Sequence, residues 1–320
     1  MESASREFLR AIRGPRSQVA FARRLGYRSN VAAKWEEGLR APTASVALSA
    51  CKKAGIDVSA ALEAFHAPTA PLLRPLTPAA VAGWLRAHRG DQPLTSVARR
   101  AGCSRFQAAR CLSGDTNPRL PMFFALIHAL TERLPEFVAS FVAIERVPSL
   151  LPTYRRQMAA RSCAYTHPWS SALLALVDVL QRPKGLGATQ RKEFLRRAAG
   201  VLGISEGTAS EGVGVLIAAG VLDERLRITG SLRSDTRGDP ASAGSLRRHW
   251  AEVSRARLDA PGERDLFSFN VFSVSHADYE RIRALQLDFF RRVQALVTET
   301  GPAETAALMV LHLLRWPAAP

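Results

Sequence analysis

Asn30 and Lys34 stand four residues apart, one helical turn, so a helix carrying both presents an amide and an ammonium on one side. An amide pairs bidentately with adenine, and an ammonium reaches guanine or a phosphate oxygen. The chemistry on offer is recognition of DNA. The residue types leave the base unspecified, and a solvated helix face without a ligand is the plain alternative.

Two short helices and a turn must hold that pair. Ser17 is a helix cap, Gln18 falls in the first turn behind it, and Ala22 is small enough for two helices to cross closely. Gly26 supplies the turn. Asn30 to Glu37 then reads as a second helix, with Val31 and Trp35 on its inner face and Gly38 at its end.

The order Gln18, Ala22, Leu25-Gly26, Trp35-Glu36, Gly38 and Pro42 resembles the phage-repressor-like (Xre/Cro) helix-turn-helix family over roughly Ser5 to Phe65. Position by position, the resemblance implies that Gln18 anchors a phosphate, that Ser29, Asn30, Ala33 and Lys34 face the groove, and that Glu37 to Arg40 form a loop along the backbone. Arg23 and Arg24 join Gln18 in positioning the phosphates. Trp35 is expected in the core.

A second copy follows at an offset of 76 residues: Ala22 maps on Ala98, Arg23-Arg24 on Arg99-Arg100, Gly26 on Gly102, Gly38 on Gly114 and Pro42 on Pro118. It has diverged, with Leu94 at the place of Gln18, Ala101 at that of Leu25 and Cys111 at that of Trp35, so a smaller core is expected. Its groove-facing set becomes Arg105, Phe106, Ala109 and Arg110. The arginines can grip guanines or phosphates, and Phe106 either touches a thymine methyl or packs inward. The copy is open to two uses, contact with DNA or bracing of the first unit. Between the copies, Pro68, Pro71 and Pro75 mark a linker.

Charge points the same way. The chain carries 44 basic and 28 acidic residues, a net of +16, spread as +5 over each of 1–66, 67–147 and 148–235 and only +1 over 236–320. Such a field attracts nucleic acid through counterion release without choosing a sequence. An anionic membrane is disfavoured because no basic amphipathic stripe has a wide apolar face. The polar start MESASREFLR and the lack of a spanning apolar run predict a cytoplasmic protein. The four cysteines show no C-x-x-C spacing and no histidine at ligand spacing, so buried free thiols are expected rather than zinc.

From Pro168 the pattern changes. Leu173, Leu174, Leu176, Val177 and Leu180 form one apolar face, Gln190 to Leu202 a second helix, and Ser205 opens a third that ends near Gly220. Two short strands around Asp223-Glu224 follow, which is the order of a winged helix. Glu206 and Glu211 on the third helix oppose phosphate, so structural or dimerising use is favoured there.

A helix over Ser245 to Arg257, an alternating strand in DLFSFNVFSVS, a long helix from His276 and a strand in AALMVLHLLRW complete the chain. Glu263-Arg264-Asp265 running into FSFNVFSVS, the DYERIR segment and the terminal ALMVLHLLRW resemble a bacterial family of unknown function found behind helix-turn-helix domains, over roughly Pro168 to Trp316. No ligand comes with that resemblance.

The expectation is a mainly α chain: a helix-turn-helix domain at 1–66, a linker at 67–77, a second and degenerate one at 78–147, a winged-helix-like domain at 148–235 and a small α+β unit at 236–320 for dimerisation or sensing. The expected function is a sequence-specific transcriptional regulator that occupies an operator on double-stranded DNA, as a homodimer with room for a small-molecule or protein effector. The alternative is an adaptor that binds another regulator and touches nucleic acid only nonspecifically. No catalytic fingerprint occurs, and no cofactor or metal is expected.

Overall fold

Glycines in the left-handed region and short polar caps divide this chain into helices. Gly26 at φ 92 and Gly102 at φ 65 show this, because each lets the backbone reverse through a positive φ that side-chain-bearing residues rarely adopt. The computed structural model describes residues 1–180, 186–230 and 240–316. Among them are sixteen α-helices and no strand, with 66% of the chain helical, so the protein is mainly α. The helices group into two units, Met1–Tyr154 and Arg155–Pro320.

The first unit holds α1 (Glu2–Arg13), α2 (Gln18–Leu25), α3 (Val31–Glu37), α4 (Ala44–Ala54) and α5 (Val58–His66), followed by α6 (Pro78–Arg89), α7 (Leu94–Ala101), α8 (Arg105–Ser113), α9 (Leu120–Thr131) and α10 (Leu134–Ala139). Four of the five pairs begin 76 residues apart. The repeat reaches individual bonds. Tyr27 N–H donates to the Ala22 carbonyl at 3.0 Å, and Cys103 N–H to that of Ala98 at 3.0 Å. Arg10 donates to the Glu36 carbonyl at 2.9 Å and Arg86 to that of Leu112 at 2.6 Å. Arg13 donates to the Arg16 carbonyl at 2.5 Å, and Arg89 to that of Gln92 at 2.8 Å.

One continuous apolar core runs through both copies. Phe8, Phe21, Leu25 and Trp35 fill the first part, and Trp84, Phe123, Phe124 and Phe137 the second. A smaller core is expected for the second copy: Cys111 is buried where Trp35 stands in the first, while the larger Phe123 and Phe137 occupy the positions of Ala47 and Ala61. The segment expected as a linker is likewise packed. Pro71 lies in the first turn of a 3-10 helix, Ala70–Leu73, whose Ala70 and Leu73 are buried, and the turn lies on α6.

The second unit takes in α11 (Leu151–Thr166) from Arg155 on, then α12 (Trp169–Val179), α13 (Ala188–Leu202), α14 (Glu206–Ala218), α15 (Pro240–Asp259) and α16 (His276–Glu299). Its core gathers Leu173, Phe194, Ala198, Val213, Leu216 and Leu222. No single helix among the described residues is long and apolar enough to cross a membrane.

After α14 the chain turns through Asp223 and returns as a single antiparallel bridge between Leu222 and Ile228, shorter than the two strands expected. The segments expected as strands at 265–275 and 306–316 form no ladder among the described residues. Leu266 and Phe269 are 97% and 96% exposed. Alternation states which face is apolar, but a strand also needs a partner for its N–H and C=O groups. The expected boundary at 235/236 lies outside the described residues.

Candidate nucleic-acid interface

α2 and α3 stand as two short helices joined by a turn because each end is locally closed. The Ser17 hydroxyl accepts from Ala20 N–H at 3.2 Å, and the buried Phe21, Ala22 and Leu25 seat α2 on α3 and α4. Trp35 is buried as expected and meets Tyr27 edge to face at 5.8 Å.

Near the end of α3, Glu36 is a buried acidic residue. Its carboxylate takes Arg13 at 2.6 Å and the Gln18 amide at 3.0 Å, with Arg10 at 3.8 Å. A carboxylate out of water needs such partners, and here they come from α1 and the start of α2, so three elements are tied at one point. Gln18 therefore spends an amide proton on Glu36. Its second amide proton is what it has left for a phosphate.

Asn30 caps α3 instead of lying within it, and its Oδ1 accepts from Ala33 N–H at 3.2 Å. A second lone pair and the amide nitrogen remain for a base edge. Ser29 is exposed and Ala33 half-buried, which leaves a shallow surface between Asn30 and the exposed Lys34. Arg23, Lys34 and Arg40 are all exposed, and none has a side-chain hydrogen bond or ion pair among the described residues. Arg28, which the sequence reading passed over, shares that state one residue before Ser29. Its signal was only its place in the turn. Arg24 differs, because its guanidinium is held by the Lys53 carbonyl.

The second copy presents the same surface with other residues. The Ser104 hydroxyl accepts from Gln107 N–H at 3.1 Å and starts α8, so Arg105 and Phe106 lie in its first turn. Phe106 is 72% exposed, which settles its direction outward. The Arg110 guanidinium lies over its ring at 5.9 Å. Arg99 and Arg105 are exposed without partners among the described residues. The acids nearby are Glu37 and Asp115, both exposed at the C-terminal ends of these helices; Asp115 accepts from Ser113 at 2.8 Å.

In the second unit several cations are answered by acids, while Lys192 and Arg197 on α13 are exposed without an ion pair among the described residues. Arg191 meets Glu224 at 3.3 Å, Arg196 meets Glu193 at 2.9 Å and Arg227 meets Asp223 at 2.6 Å. The backbone N–H of Arg227, then its guanidinium and the N–H of Arg225, hold the Asp223 carboxyl below its ordinary range. Glu206 and Glu211 are exposed on α14. Among the described residues no group of three or more His, Cys, Asp or Glu side chains is placed to hold a metal ion. No protein-family model matches the chain, and neither the curated proteins nor the solved structures give a match.

Proposed function

We propose that this protein is a sequence-specific DNA-binding regulator that acts by occupying an operator through its first unit. The observation that carries the reading is the outer surface of α2 and α3, where Arg23, Arg28, Lys34 and Arg40 stand exposed without partners around the cap Asn30. Unpaired cations track phosphates, and an amide and an ammonium one turn apart read base edges. In this reading the three helices α12–α14 with their bridged turn are a winged helix used for structure or dimerisation. The chain beyond 236 is an α+β region for pairing or effector sensing.

Selection of bound duplexes from a randomised pool at near-physiological salt tests the proposal, run on the whole chain and on Asn30→Ala/Lys34→Ala. A sharp motif that the variant loses is the expected result. Equal binding by both proteins with no enriched motif overturns it. That outcome promotes the adaptor reading, which the exposed Leu266, Phe269, Val271 and Trp316 favour as a surface for another protein.

A further inference from the structure

Contacts between the two copies of the first unit occur in exchanged pairs. Ala44 N–H donates to the Pro118 carbonyl at 2.8 Å, and Leu120 N–H to that of Pro42 at 2.8 Å. The antiparallel bridge between them joins Thr43 to Arg119, which is the position equivalent to Thr43 at the 76-residue offset. Helix α1 packs on α9 and α6 on α4. The turn Ala70–Leu73 packs on α6, and its counterpart Ile144–Arg146 packs on α1. Phe8 meets Phe141 at 6.1 Å, and their equivalents Trp84 and Phe65 meet at 6.1 Å. An operation that carries the first copy onto the second and the second back onto the first is a two-fold rotation, the relation of subunits in a symmetric dimer.

We infer that the first unit is a two-fold pair folded from one chain, whose α3 and α8 read two unlike half-sites on a single DNA duplex. The inference rests on the DNA-binding reading above. The axis passes between Thr43 and Arg119, and these residues end the loops that leave α3 and α8. Six residue steps from Glu37 to Thr43, at no more than about 3.6 Å each, keep the end of each helix within about 22 Å of the axis. Half-sites one helical turn apart, about 34 Å, fall within that reach.

The halves are unlike because the reading residues are. Lys34 corresponds to Arg110, Ser29 to Arg105 and Asn30 to Phe106. Lysine offers a point charge beside the Asn30 amide, whereas two arginines offer planar forks suited to guanine, with Phe106 placed for a thymine methyl. Arg23 and Arg99 are the same residue in both halves and sit exposed at the ends of α2 and α7, as fits a shared contact with the phosphates.

Lys34→Ala and Arg110→Ala test this in the full chain, because the two residues are equivalent, exposed and outside the core. Duplexes are selected with the parent protein and with each variant. The parent is expected to enrich two separated blocks of different sequence. Each variant is expected to lose discrimination, about 5- to 150-fold at the affected bases, in one block only, and the two variants in different blocks. The inference is overturned if Arg110→Ala leaves every enriched base unchanged, or if Lys34→Ala erases both blocks together, as it does when two chains each supply α3. Either result leaves the regulator reading standing. A parent protein that enriches no motif sinks both.

Discussion

Arg13 reaches from α1 to the carboxylate of Glu36 at the end of α3, Nε to Oε1 at 2.6 Å, and the acid is buried while the arginine keeps one edge in water. Glu36→Ala leaves that guanidinium and the Gln18 amide without their acceptor. Removing one partner of a buried pair costs more than the pair contributes, and with Arg13 partly solvated the loss is about 2–3 kcal/mol. Urea denaturation of the variant checks it; a change under about 0.5 kcal/mol removes Glu36 from its structural role.

Asn30 has two tasks that substitution can separate. Asn30→Ala gives up the cap on Ala33 N–H and costs about 1 kcal/mol, whereas Asn30→Ser keeps a capping oxygen and nearly all the stability. Both lose the amide that the DNA-binding proposal assigns to a base, so on that proposal both are expected to relax the same base position in a selected motif. Parent-like specificity in the Ser variant would limit Asn30 to capping.

On the DNA-binding proposal, Arg23 and Arg99 contact phosphates and set the salt dependence of binding. Each contact removed lowers the slope of log K against log salt by about 0.9. Arg23→Ala and Arg99→Ala are therefore expected to give equal reductions and the double variant twice as much, with the base preference intact. A slope that stays at the parent value in Arg99→Ala shows that the second copy does not touch the backbone there.

In the second unit, α14 approaches α12 through Gly212. A Cβ at that position stands 2.5 Å from Leu173 Cδ1, and Leu173 is fully buried, so its side chain must shift within the core. Gly212→Ala overpacks the site at about 1–3 kcal/mol. Hydrogen exchange is expected to show lost protection in α12 to α14 and none in α1 to α10. Unchanged exchange in α12 contradicts the contact.

The thiols give a pH signature. Burial pushes Cys51 far above the ordinary thiol range, and burial likewise raises Cys163, Cys111 and, least shielded, Cys103. A raised value favours the neutral thiol, and the thiolate is the reactive form. At pH 8.5 alkylation of the folded protein is therefore expected to be slower than that of the unfolded chain at every cysteine, with Cys103 first and Cys51 last. Rapid early labelling of Cys51, read by peptide mass, refutes its burial.

Features fixed within a few residues are legible in the sequence, and features fixed across the chain are not. Ser17, Gly26 and Gly38 mark helix ends by their own conformational preferences, and Trp35 lies in the core as its spacing from Val31 requires. The prolines of 67–77 read as a linker because each breaks a helix, yet Leu73 finds an apolar site on α6 that no local pattern announces. Phe123 and Phe137 fall on the positions of Ala47 and Ala61 only once the repeat is carried past the turn of the second copy. Lys34 and Arg110 are legible as candidate contacts from their helix positions, whereas the bridge of Thr43 to Arg119 is visible only in three dimensions. Leu266 to Val274 alternate as a strand does, but their pairing partner is written nowhere near them.

In a symmetric homodimer every substitution is made on both sides of the axis at once, so neither half changes alone. Here the bridge of Thr43 with Arg119 joins halves encoded separately, and each is free to drift by itself. Leu94 opposite Gln18 and Cys111 opposite Trp35 are differences of that kind, carried by a scaffold whose two halves still exchange the same contacts.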